Sequence, residues 1–123
     1  MNKFIKSRLK SFQYAFQGIR TLFLTQPNTW IHLLAIVVTS TAGVLLDCNP
    51  TEWAILGLTF GVVVMAEAFN TALEFLTDLV SPDYHELAGK TKDVAAAGVL
   101  IAAIAAVFVA AFIFLPKIQL LFR

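Results

Sequence analysis

A single cysteine, Cys48, excludes a disulfide framework and a cysteine-built metal site within one chain. A phosphate-cradling glycine loop is missing too. "GKT" at Gly89–Thr91 resembles the end of one, but Tyr84 stands where the earlier glycine is required and no strand precedes it. No acidic residue occurs in residues 1–46, and no formal charge in 30–46 or 94–115. Repeats, low-complexity tracts and flexible linkers are absent. The basic residues form no clustered face of the kind that binds nucleic acid, so no nucleic-acid partner is expected. The basic start is not followed by an apolar core within the first 29 residues, which argues against a cleaved signal peptide.

What is present is apolar. Hydrophobic residues make up 59% of 123, and the mean hydropathy is +0.78. A soluble domain this small has too little interior to hide so much apolar surface, so an integral membrane protein is expected. The fold class predicted is an all-α membrane protein with three transmembrane helices and an N-terminal amphipathic helix, as one domain over 1–123. Residues 1–26 form the amphipathic helix: Phe4, Ile5, Leu9, Phe12, Phe16, Ile19 and Phe23 make its apolar stripe, with Lys3, Lys6, Arg8 and Lys10 largely off it. Such a helix can lie in the membrane interface or pack on the body of the protein; the basic residues, unbalanced by acid, favour the interface. Pro27 and Asn28 break it. The membrane helices are placed at 30–46, 53–80 and 94–115, separated by the acidic turn "DCNPTE" and the polar loop "SPDYHELAGKTK". Trp30 suits an interface position.

Loop charge sets the expected orientation. Five Lys/Arg lie in residues 1–29 and two more, Lys90 and Lys92, in the 81–93 loop, whereas the 47–52 turn has none. The positive-inside rule puts the N-terminus and the 81–93 loop in the cytoplasm and the C-terminus, with Lys117 and Arg123, outside. Gly98, Ala102, Ala106 and Ala110 recur every four residues, a pattern that allows close helix approach. A single three-helix chain has little interior, so an oligomer is expected, although ordinary packing within the chain would use the same pattern.

The chemistry concentrates in "EAFNTALEFLTDLV", residues 67–80. Glu67, Asn70, Thr71, Glu74 and Asp78 fall at i, i+3, i+4, i+7 and i+11, one narrow stripe of a helix, with Leu73 and Leu76 opposite. Charge at membrane depth is costly and is a functional hypothesis by default. Glu67 is placed near the inner edge of the hydrocarbon, able to meet a lipid group. Glu74, about 10 Å further along, is at headgroup level and able to meet a cytosolic one. Asn70 lies between and can orient either. Asp78 reads as a solvated helix-end charge. In the following loop, Lys92 could neutralise phosphate, Asp93 could cap the third membrane helix or hold Mg²⁺, and His85 could contact a nucleotide or merely be exposed. His32 reads as an interfacial or interhelical hydrogen-bonder. Two rival classes use the same features: a channel or transporter with the carboxylate stripe as an ion path, and a structural membrane subunit. A path needs polar residues through both membrane halves, and the outer half of the second membrane helix is apolar.

"EAFNTALEFLTDLVSPDYHELAGKTKDVAAAGVLIAA" resembles the signature of the bacterial integral-membrane diacylglycerol kinase and undecaprenol kinase family. That pattern is E-x-x-N-[ST]-x-x-E, then a Y-H-E loop, then K-D and a small-residue helix. "SFQYAFQGIR" is similar to the family's surface helix, and the likeness covers nearly the whole chain. The resemblance implies a homotrimer in the bacterial inner membrane that uses ATP and Mg²⁺ to phosphorylate a lipid alcohol. It implies Glu67 as general base with Asn70 supporting it, Glu74 as metal and nucleotide ligand, and Tyr14, Asp83, Tyr84, His85, Lys92 and Asp93 as nucleotide contacts. Many members place a metal-sharing Glu where this chain has Gln26, so the resemblance implies Glu74 and Gln26 at the metal with one fewer negative charge, and Thr91 stands where Ala is frequent. "KDVAAAGVL" and "IHLLAI" look more like the undecaprenol kinase branch.

Overall fold

The structure, a computed structural model, describes residues 2–122. Four helices follow in chain order: α1 (Lys3–Thr25), α2 (Pro27–Leu45), α3 (Pro50–Val80) and α4 (Glu86–Leu121). The described residues contain no strand. The last three helices are long and apolar enough to cross a membrane. The all-α membrane class read from the sequence is therefore the class observed.

The helix boundaries differ from expectation at three starts, each for a local reason. Proline at the first position of a helix loses no hydrogen bond, because that N–H has no intrahelical acceptor. Pro27 thus ends α1 and begins α2 at once, three residues before the expected start. Pro50 does the same for α3, where Asn49 and Glu52 form a reciprocal capping box: Asn49 Oδ1 accepts from Glu52 N at 2.9 Å, and Glu52 Oε2 accepts from Asn49 N at 2.8 Å. The largest difference is α4. Residues 86–93, expected as loop, are helical; His85 caps the helix by accepting from Leu87 N on Nδ1 at 3.1 Å. A Glu86–Lys90 pair at 2.6 Å then supports the first turns. The cap is therefore His85 and not Asp93, which lies inside the helix.

At the α2–α3 turn the chain reverses through a Schellman motif. Cys48 N donates to Gly43 O at 2.9 Å and Asp47 N to Val44 O at 3.4 Å, with Asp47 in the left-handed region at φ 48°. The turn is tied to the far end of α4: Lys117 Nζ lies 3.0 Å from Glu52 Oε2 and donates to the Asp47 carbonyl at 3.3 Å. Partial burial, reinforced by the neighbouring Glu52 carboxylate, pushes the Cys48 thiol up. Below this turn lies the main apolar cluster, Leu56, Ile113 and Phe114, with Trp53 and Ala110 against it.

The core is thin, and most large apolar side chains of α2, α3 and α4 face outward, as suits lipid contact. α3 and α4 form the main helix pair. Ala102 is buried and Ala106 and Ala110 half-buried, so part of the small-residue stripe is used within the chain. α1 leaves Phe4, Ile5, Leu9, Phe12, Phe16 and Ile19 exposed and buries Leu22. Its apolar stripe is thus available to a membrane, and only its end packs on the bundle. There Trp30 Nε1 donates to Phe23 O at 3.0 Å and the two rings meet edge to face at 5.2 Å, fixing the α1–α2 corner.

Candidate active site

The buried polar side chains described are Thr29, Glu67, Asn70 and Thr71, all at the end of the bundle where α1 meets α2. One helical face of α3 supplies three of them. Glu67 is 1% exposed, and both carboxylate oxygens lack a hydrogen-bond partner. Thr71 returns its hydroxyl to the Glu67 carbonyl at 2.9 Å, so it offers the carboxylate nothing. Across from Glu67, His32 of α2 places Nε2 3.6 Å from Oε2. Glu67, His32 and Asn70 line one side of a cavity of about 290 Å³; Ala96, Val99 and Ala103 of α4 line another.

Two turns along, Glu74 is gripped by two amides. Asn70 Nδ2 donates to Oε1 at 3.3 Å and Gln26 Nε2 to Oε2 at 3.2 Å. Gln26 occupies the corner between α1 and α2, serving as C-cap of one and N-cap of the other. Asn70 therefore links the buried carboxylate's surroundings to the half-buried one, with its own Oδ1 buried and without a partner. That orphaned oxygen, the Glu74 carboxylate and the adjacent Gln26 amide are hard donors suited to Mg²⁺, if the Gln26 amide turns its oxygen inward. No three of His, Cys, Asp and Glu converge on one point among the described residues, so the protein side of such a site is sparse.

The remaining sequence-predicted residues lie further along α3 and α4. Asp78, expected as a free helix-end charge, instead pairs with Lys92 at 2.5 Å, so the expected phosphate cation is engaged across the helix pair. Asp93 is exposed on α4. Asp83 accepts on its carbonyl from Ser81 Oγ at 3.2 Å, Tyr84 is 94% exposed, and His85 is the α4 cap. Tyr14 is exposed on α1. The structure thus brings together Gln26, Glu67, Asn70 and Glu74, and leaves Tyr14, Asp83 and Tyr84 facing outward. The His32–Glu67 apposition is the feature not read from the sequence. Its signal was there: the one ionisable side chain of α2 and a carboxylate deep in α3 each need a polar neighbour.

No buried polar residue is described in the other half of the bundle, where Leu56, Ile113 and Phe114 fill the interior. A continuous polar path across the membrane, as a channel needs, is not found among the described residues. The three membrane-length helices define an integral membrane protein whose described buried polar side chains gather at one end of its bundle.

A family model described as prokaryotic diacylglycerol kinase matches residues 13–114. The chain is 46% identical over 111 residues to a diacylglycerol kinase of Synechocystis, covering 89% of this chain and 63% of that protein. It is 34% identical over 118 residues to an undecaprenol kinase of Bacillus subtilis, covering 96% of this chain and 93% of that protein. A diacylglycerol kinase of Escherichia coli is 29% identical over 99 residues, 80% of this chain and 81% of that one. The chain therefore spans less than two thirds of the Synechocystis protein and nearly all of the Bacillus one. It belongs to the prokaryotic diacylglycerol kinase family, a family of bacterial membrane lipid kinases.

Proposed function

We propose that this chain transfers the γ-phosphoryl group of ATP to the hydroxyl of a membrane lipid alcohol, with Glu67 as general base. The observation that carries this reading is the buried, unpartnered Glu67 carboxylate on a cavity with an apolar α4 wall. An acceptor set there meets oily surroundings suited to a lipid, not to a water-soluble substrate. In the step, the lipid oxygen forms a bond to phosphorus while the bond between that phosphorus and the ADP oxygen breaks. The hydroxyl proton passes to Glu67. Asn70, one turn from the base, is its supporting amide and donates to Glu74. Glu74 and Asn70, with Gln26, would hold Mg²⁺, which when bound neutralises phosphate charge. Tyr14, Asp83, Tyr84, His85, Lys92 and Asp93 are proposed to contact the nucleotide, which requires Lys92 to exchange Asp78 for phosphate. The site end faces the cytoplasm of the bacterial inner membrane, where ATP is, in agreement with the basic N-terminal arm. A homotrimer, implied by the family resemblance, would share sites between subunits.

The acceptor is proposed to be diacylglycerol or undecaprenol: the stretches "KDVAAAGVL" and "IHLLAI" lean slightly to the polyprenol, whereas the identity is higher to a diacylglycerol kinase, 46%, than to an undecaprenol kinase, 34%. The test is transfer of label from γ-³²P-ATP into the lipid phase of liposomes carrying one or the other alcohol. Label should enter the lipid with Mg²⁺ present, and Glu67→Gln should reduce turnover by ~10²–10⁴, the scale of general-base loss, with little change in nucleotide affinity. Transfer to neither lipid would sink the reading, and a fully active Glu67→Gln would remove Glu67 as the base.

A further inference from the structure

A carboxyl group cut off from water needs a polar partner in either protonation state. Neither Glu67 oxygen has a hydrogen-bond partner, nor does His32 Nε2, although these atoms are buried. They face one another across 3.6 Å. Among the described residues, this imidazole is the one basic group within ion-pairing distance of Glu67. The gap is slightly longer than a hydrogen bond, and side-chain rotation can close it; catalytic hydrogen bonds often tighten only when substrate is present. The carboxylate oxygen that faces the imidazole is Oε2. Neither α2 nor the cavity-lining part of α4 carries another ionisable side chain that could take the imidazole's place.

We propose that His32 is a positioning residue for the base. Its Nε2–H donates to Glu67 Oε2, fixes the rotation of the carboxylate, and leaves Oε1 to accept the lipid hydroxyl's proton. The inference rests on the reading of Glu67 as general base and adds the group that aims it. It also assigns the imidazole its tautomer, with the proton on Nε2. Placement errors of about 1 Å at a reacting group can cost about 10²-fold in rate, so an unaimed carboxylate is a poor base even when present.

The experiment compares wild type, His32→Ala, His32→Gln, His32→Asn, Glu67→Gln and the His32→Ala/Glu67→Gln double variant. Each is assayed by label transfer to lipid and, separately, for Mg·ATP binding without lipid. His32→Ala should lower kcat by about 10- to 100-fold, the scale of a misaimed reacting group, with unchanged nucleotide binding. His32→Gln, whose amide nitrogen reaches about as far as Nε2, should recover much of that loss; His32→Asn, one methylene shorter, should not. In the Glu67→Gln background, His32→Ala should cause no further loss, because residues that act as a unit are non-additive. A merely structural histidine would multiply the two losses. Wild-type turnover in His32→Ala, or multiplied losses in the double variant, overturns the inference while the base reading stands. Full activity of Glu67→Gln overturns both. Where His32→Ala fails to bind Mg·ATP and so has lost its fold, the Gln and Asn pair decides: Gln active and Asn impaired supports the inference, and equal turnover overturns it.

Discussion

At the scale of single residues, α3 divides its carboxylates by surroundings. Glu67 is almost wholly buried and unpartnered, whereas Glu74 is half-buried and already accepts two amide hydrogen bonds. Glu74 is therefore expected to matter for nucleotide binding itself. Glu74→Ala should weaken Mg·ATP binding measured without lipid, and equal affinity in variant and wild type would remove Glu74 from the site. Gln26 brings a neutral amide where a carboxylate would add formal charge to the proposed Mg²⁺ site. Gln26→Glu should lower the Mg²⁺ concentration for half-maximal activity and tighten Mn²⁺ binding followed by EPR, whereas Gln26→Ala should do less damage than Glu74→Ala. An unchanged or higher Mg²⁺ requirement in Gln26→Glu would mean that this side chain does not face the metal. The Glu67–Asn70–Glu74 face was legible in the sequence because helical spacing alone aligns those residues. His32 was legible as an interfacial or interhelical hydrogen-bonder but without its partner, because the meeting with Glu67 depends on the register between α2 and α3, which no local pattern encodes.

At the scale of elements, the turns hold more information than their polarity suggests. "NPTE" carries both a capping box and a proline at the first helical position, so the α3 start was readable, but its acidic residue made it look like part of a loop. The α4 start was harder, since Lys90, Lys92 and Asp93 break the hydropathy although they sit comfortably on a solvated helical face. Close approach shapes the α2–α3 turn: a Cβ on Gly43 would lie 2.9 Å from Cη2 and 3.0 Å from Cζ2 of Trp53. The indole is rigid and braced by the Leu56 cluster, so it cannot yield cheaply. Gly43→Ala should lower stability by about 1–3 kcal/mol, the usual cost of overpacking, while lipid binding at the distant site is spared. Thermal denaturation in detergent checks this, and an unchanged midpoint would show that the ring moves freely.

At the scale of the whole molecule, hydropathy made the fold class legible, because three apolar runs of membrane length have few other solutions. The small-residue stripe by itself does not count subunits, because the same alanines that could join two chains here help to join α3 to α4. The two ion pairs between those helices have a further consequence. Asp78–Lys92 and Glu52–Lys117 cross the same helix pair near opposite ends. They act as two rungs of a ladder roughly 38 Å apart at 1.5 Å per residue. A hydrocarbon core of about 30 Å fits between the rungs, with each left among the headgroups. The helix pair is therefore expected to respond to membrane thickness. In bilayers of longer acyl chains a rung would be drawn toward oil, or the helix pair would have to stand upright, each at a modest energetic cost. Activity should therefore peak in lipids of intermediate chain length and fall in thicker bilayers; a flat profile across chain lengths would show that the rungs do not gauge the membrane.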